Sequence, residues 1–195
     1  MLTRVGGWLF RHRTGIPLPI VLALLIIPPS TASRTMLWLG VLVTGAGELL
    51  RLLAVRHIGT ISRTRTDRLG PLVASGPFRW VRNPLYIGNA VLWIGLALVA
   101  QLPWLVAPIA LLLALEYHAI VRWEEQLLAE RLGQPYRDYM RAVPRWIPRP
   151  PRPSVNPATP AFGWQETLFS ERGTLIAIVG GFVLLSLKVY FRSSP

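Results

Sequence analysis

Apolar residues in this chain fall into long blocks, not into the alternation of a half-buried strand or the single stripe of a surface helix. The first block, "IPLPIVLALLIIPP" at 16–29, is short of the roughly 20 residues that a crossing needs, so a helix that starts in the interface is expected there. The second, 36–55, is long enough, and it holds Glu48 and Arg51 one turn apart, where the pair can neutralise itself. Blocks at 86–101 and 103–121 meet across "AQLPW", a turn too short for anything but an antiparallel hairpin. A fifth block, 174–190, follows a proline-rich stretch. The pattern predicts an all-α, polytopic membrane protein with about five transmembrane helices.

Beyond residue 121 the pattern turns amphipathic, with Leu127, Leu128 and Leu132 apolar, until Gly133 and Pro135 stop the helix. A short helix over 136–142, closed by Pro144, is expected next. No internal repeat is visible, and the one composition break is "PRWIPRPPRPSVNPATPAFG" at 144–163, read as a linker or a proline-motif docking site. The divisions expected are an N-terminal part, 1–55, with an interfacial segment and two membrane helices; a core, 56–149, with the hairpin and cytoplasmic amphipathic helices; a linker, 150–172; and a C-terminal membrane helix, 173–195. No small-residue cleavage pattern follows the first block, so it is expected to be a retained helix and not a signal peptide.

Composition agrees: 52% of the 195 residues are hydrophobic, 15% are charged, and the mean hydropathy is +0.41. The 21 Lys and Arg against 9 Asp and Glu lie mostly between apolar blocks, where they set topology. A nucleic-acid partner is therefore not expected, because a soluble binder of that kind would not carry several apolar blocks. Without cysteine the chain has no disulfide, thiolate metal site or cysteine nucleophile, and with three histidines no metal site is expected. Between Arg56 and Arg82 stand Arg63, Arg65, Arg68 and Arg79 against the single acid Asp67. The positive-inside rule then places the N-terminus, this loop and residues 122–172 in the cytoplasm, with Lys188 and Arg192 arguing mildly against the last crossing. The opening "MLTRVGGWLFRHR" mixes aromatic and basic residues as an interfacial anchor does.

Two polar constellations break the apolar pattern. In "GPFRWVRNPLYIGN", 76–89, prolines bend the chain and leave amides partly unpaired, and Asn83 can cap a helix that starts at Pro84. A capped helix with interfacial Trp80 and snorkelling arginines explains this stretch; so does a ligand site in which Tyr86 and Asn89 stack on and hydrogen-bond a heterocycle. The second constellation is Glu124 and Glu125 at the water exit of a membrane helix, able to accept two hydroxyl hydrogen bonds or hold an ammonium, or else to pair with Arg122, Arg79 or Arg82.

The run "GPLVASGPFRWVRNPLYIGN", the hairpin, and then "EEQLLAERLGQPYRDYMRAVPRWIP" together resemble the isoprenylcysteine carboxyl methyltransferase family, which shares its C-terminal core with the phospholipid methyltransferases; the resemblance covers about 56–149. It implies an integral-membrane enzyme that uses S-adenosylmethionine at the cytoplasmic face and a lipophilic substrate from the bilayer. By position, Gly70, Pro71, Leu72, Val73 and Phe78 would contact the cofactor, Asn83, Pro84, Leu85 and Tyr86 would line its pocket, and Glu124 would close it. Arg82, Glu125, Tyr136 and Tyr139 are further candidates.

Two positions depart from the family pattern. Asn83 stands where many carboxyl methyltransferases have histidine, and an amide can still donate and accept. Ile120 stands where they place a substrate-binding arginine, so a carboxylate would need Arg122, His118 or Arg145 instead, and a lipid head-group amine is an equally good acceptor. An amine must lose a proton, for which Glu125, His118 and Tyr117 are candidates, and no catalytic residue is assigned. Two other classes stay open: an NADPH-dependent membrane reductase of the sterol-reductase type, and a non-enzymatic membrane scaffold. The acceptor and the oligomeric state are not legible.

Overall fold

The computed structural model describes residues 2–13, 15–31, 33–59, 72–150 and 161–193. Gly70, Pro71, the loop residues Arg63, Arg65, Asp67 and Arg68, and 151–160 of the proline-rich stretch lie outside them. The described residues form seven α-helices: α1 (Leu2–His12), α2 (Leu18–Ile26), α3 (Arg34–Ile58), α4 (Pro84–Val99), α5 (Val106–Leu132), α6 (Gln134–Ala142) and α7 (Trp164–Ser193). No strand occurs among them.

Three stretches are long and apolar enough to cross a bilayer, Arg34–Ile58, Pro103–Leu132 and Trp164–Arg192, and the 16-residue Pro84–Val99 is apolar but shorter. The first expected crossing is corrected: α2 is nine residues, a rise of about 14 Å, less than half of a hydrocarbon core. Pro17 and Pro19 confine its start, and Pro28 and Pro29 follow its end. The last crossing begins ten residues earlier than 174, with Trp164 inside the stretch expected to be linker. Lys188 does not oppose it, because its Nζ donates to the Leu24 carbonyl at 2.6 Å, one of those left over at the C-terminal end of α2.

Local signals set the helix ends. Ser33 accepts the Met36 amide at 3.3 Å to start α3, and Gly133, at φ 63°, ends α5 as its position in the sequence predicts. α3 and α4 cross almost backbone to backbone: a Cβ at Gly47 would lie 2.6 Å from the Leu92 amide nitrogen, and one at Gly95 would overlap that of Thr44. α1 seats Gly6 and Gly7 on Ala119 and Trp123 of α5, so the N-terminal segment is a packed helix and not only an interfacial anchor. The hairpin between α4 and α5 turns through Gln101, at φ 60°. Its buried amide accepts from Thr31 Oγ1 (2.9 Å) and the Ser33 amide (3.0 Å), tying the α2–α3 connection to this turn.

Candidate active site

A cavity of about 1070 Å³ runs between the helices. At one end it is lined by Leu72, Val73, Phe78, Arg82, Asn83, Leu85, Tyr86, Glu124 and Glu125, residues brought together from the loop before α4, the first turn of α4 and the end of α5. All nine are positions the sequence singles out. Pro84 is buried at the first turn of α4 but not on the cavity wall, and Gly70 and Pro71 lie outside the described residues.

The loop is set by short-range contacts. Gly76 takes φ 53°, a conformation that favours glycine, and Ser75 Oγ lies 2.8 Å from His57 Nδ1 at the end of α3. A 3-10 turn, Gly76–Arg79, then buries Phe78. α6 and the tail after it clasp this loop. Tyr139 donates to the Phe78 carbonyl at 2.8 Å, the Arg82 amide to the Pro144 carbonyl at 2.9 Å, and the Arg149 amide to the Trp80 carbonyl at 3.0 Å. Burial pushes the Tyr136 and Tyr139 phenols up from their ordinary value, so both stay neutral at physiological pH, Tyr139 as a donor. Tyr139→Phe is expected to destabilise the clasp by about 1 kcal/mol, read as a lower melting temperature in detergent. An unchanged melt would mean that the Phe78 carbonyl finds another donor.

The adjacent carboxylates of α5 do different work. Glu125, 7% exposed, is the anchor of the clasp: Arg145 Nε (3.0 Å) and Nη2 (2.6 Å) and Arg82 Nη2 (3.0 Å) all reach it. Hydrogen bonding to Glu125 pushes the Arg145 guanidinium up from its ordinary value. Arg82 also donates to the Met140 carbonyl at 2.9 Å, while its Nε is buried without a partner. Glu124, on the cavity wall, accepts the Tyr86 hydroxyl at 2.9 Å.

Several expectations are corrected. Asn83 occupies the cap position of α4 but makes no side-chain cap; its amide donates to the Arg145 carbonyl at 3.1 Å, because the clasp brings that oxygen within reach. Glu125 pairs with Arg82 and Arg145, not with Arg122 or Arg79, since Arg122 projects from the exposed side of α5. Of the substrate candidates, Ile120 is fully buried in the hydrophobic core, Arg122 is exposed, Arg145 is committed to Glu125, and none of the three lines the cavity.

Sequence reasoning missed other parts of the cavity wall. Arg13, expected to be part of an anchor, lines the wall beside Phe10, whose ring lies 4.3 Å from its guanidinium carbon. Arg51 reaches Glu171 and Thr174 of α7 as well as Glu48. Charged residues within apolar blocks were the available signal, and the Glu48–Arg51 pair was legible from it, but the α7 partners of Arg51 lie 120 and 123 positions away.

Residues 35–135 match the family described as phospholipid methyltransferase. Two curated relatives are similar over most of their length. One is the nickel-cobalt-cadmium resistance protein NccN of Alcaligenes xylosoxydans xylosoxydans, 33% identical over 153 residues, covering 74% of this chain and 68% of the relative. The other is the cobalt-zinc-cadmium resistance protein CzcN of Cupriavidus metallidurans, 32% identical over 149 residues, with the same coverage of each. No solved structure matches.

Proposed function

From the premise that this chain belongs to the phospholipid methyltransferase family, we propose that it is a membrane methyltransferase that takes its methyl group from S-adenosylmethionine and passes it to a lipophilic acceptor. The observation that carries this reading is the Glu124 carboxylate on the wall of a large cavity, beside the loop clasped by Glu125. The residues suit such a cofactor. Glu124 can accept from hydroxyls or an amino group, the Arg82 Nε lacks a partner, and Phe78 offers an apolar aromatic wall.

When bound, S-adenosylmethionine supplies a methyl group on a sulfonium already activated for displacement. The chain then needs to align two partners and exclude water more than to provide a strong acid or base. The clasp of α6 and the tail covers the loop, and Glu125 with Arg82 and Arg145 fixes that cover in place. The Tyr86 hydroxyl donates to Glu124 and orients that carboxylate. The positive-inside pattern puts this end of the cavity in the cytoplasm.

The names of the relatives bear on the setting in which such a reaction would act, and metal resistance is a reasonable one for this chain. Among the described residues no group of three or more His, Asp or Glu is placed to hold a metal ion.

Calorimetric titration of the purified protein in detergent with S-adenosylhomocysteine, with NADPH in parallel, tests the reading. Saturable binding of S-adenosylhomocysteine alone is expected. Binding of NADPH alone would transfer the site to a reductase, and no binding of either would favour a scaffold.

A further inference from the structure

Among the described residues, Arg56, Arg79 and Arg82 each keep a buried Nε without a hydrogen-bond partner. Arg82 is paired with Glu125, but Arg56 and Arg79 form no ion pair and donate no side-chain hydrogen bond among the described residues. Both are half-buried, and neither lines the cavity. The chain between them offers little compensation, with Arg63, Arg65 and Arg68 against the single acid Asp67. Glu166, two residues from the start of α7, accepts the Gly163 amide at 2.8 Å, and Glu171 is bonded to Arg51. A guanidinium that has shed part of its hydration without meeting a counter-charge is costly, and an anion with several acceptor oxygens offsets that cost.

Packing brings both arginines to the same end of the bundle. The start of α7 is docked on the end of α3: the Phe162 amide donates to the Arg56 carbonyl at 3.0 Å, and the Arg56 guanidinium carbon lies 4.5 Å from the centroid of the Trp164 ring. Stacking uses the face of the planar group and leaves its N–H edge for an acceptor. The 3-10 turn that carries Arg79 starts at Gly76, where a Cβ would lie 2.3 Å from the ring of His57, the residue after Arg56. Arg56 stands two residues from the end of a stretch long enough to cross a bilayer, which puts it at the depth of lipid head groups. Trp164 beneath it and Trp80 next to Arg79 are 46% and 48% exposed, as aromatic residues at a membrane–water boundary are.

We propose that Arg56 and Arg79 bind the phosphate of an anionic phospholipid in the cytoplasmic leaflet, at a site outside the cavity and separate from that of any methyl acceptor. The chemistry names the class: guanidinium forks match phosphate oxygens, the depth is that of head groups, and a zwitterionic lipid cancels most of the attraction with its own ammonium. A head group held there joins the end of α3 to the turn that buries Phe78, and so fixes that turn at the leaflet. The site stands whether or not the cavity takes S-adenosylmethionine.

The full-length protein is examined by native mass spectrometry from micelles doped with phosphatidylglycerol and phosphatidylcholine of matched chains at equal concentration. The attraction of a basic side chain to an anionic head group is worth roughly fivefold for each arginine, so the wild type is expected to retain phosphatidylglycerol about 20-fold over phosphatidylcholine. The double variant Arg56→Gln, Arg79→Gln is expected to bring that ratio near parity. Arg131→Gln with Arg137→Gln, which removes the same charge from exposed helix faces, is expected to leave it unchanged. No preference in the wild type, or an undiminished preference in a folded double variant, would overturn the assignment. An equal loss in the control pair would also overturn it, because net charge and not a site would then be the cause. If the double variant does not fold, Arg79→Gln alone decides, since that side chain makes no hydrogen bond or ion pair among the described residues. A fall of about fivefold there supports the site, and an unchanged ratio overturns it. Displacement of phosphatidylglycerol by millimolar inorganic phosphate, but not by sodium chloride of equal ionic strength, would make this a site for free phosphate and overturn the lipid assignment.

Discussion

Replacing Glu125 with alanine is expected to destabilise the protein by about 3–5 kcal/mol, the range for removing one partner of a buried ion pair. Arg82 is the reason. Its side chain is 10% exposed, and without Glu125 its guanidinium keeps the Met140 carbonyl but loses its only carboxylate among the described residues, while its Nε already lacks a partner there. Arg145, 29% exposed, can turn to water and contributes less. Thermal unfolding in detergent gives the magnitude, and hydrogen exchange gives the place: protection is expected to fall first over 134–149, the clasp. Glu130→Ala, on an exposed site, is the matched control. A Glu125→Ala protein that melts within 1 kcal/mol of wild type, with the clasp still protected, would show that the backbone bonds at Arg82 and Trp80 hold it alone.

For the neighbouring carboxylate the largest effect is on binding. Glu124→Gln is expected to weaken S-adenosylhomocysteine affinity by about 1.5–3 kcal/mol, the worth of hydrogen bonds to a charged group, or roughly 10- to 100-fold. The fold is expected to survive, because the glutamine carbonyl can still accept from Tyr86 and, among the described residues, Glu124 forms no salt bridge. The two variants therefore separate binding from stability at adjacent residues. Equal affinity in a folded Glu124→Gln protein would remove Glu124 from the cofactor site.

The helices themselves were legible. α3, α4, α5 and α7 each contain an apolar block, and Gly133 ended α5 where the sequence was expected to stop the helix. The limits were at the ends. The block at 16–29 formed a helix of only nine residues because prolines flank it, and α7 began within the stretch expected to be linker, directly after its last proline-rich residues. α1 went unrecognised as a packed helix because Gly6 and Gly7 reduce helix propensity, yet they let it approach α5.

Within the site, the sequence pointed to the right neighbourhood but not to the partners. Glu124 and Glu125 are consecutive, so on a helix they point about 100° apart, and nothing local says which one faces the cavity wall and which meets the arginines. That is decided by Arg82 and Arg145, residues 43 and 20 positions away, brought in by the clasp. Asn83 was a good cap by type and became a tail contact by position. Apolar runs, prolines and glycines act through neighbours a few residues apart, and in a bilayer backbone groups must be satisfied within the helix, so the sequence by itself determined the helical membrane architecture. Ion pairs such as Arg51 with Glu171 join residues that no local period relates, so only the packing of α3, α4 and α7 decided that a charged cluster stands beside the candidate cofactor site.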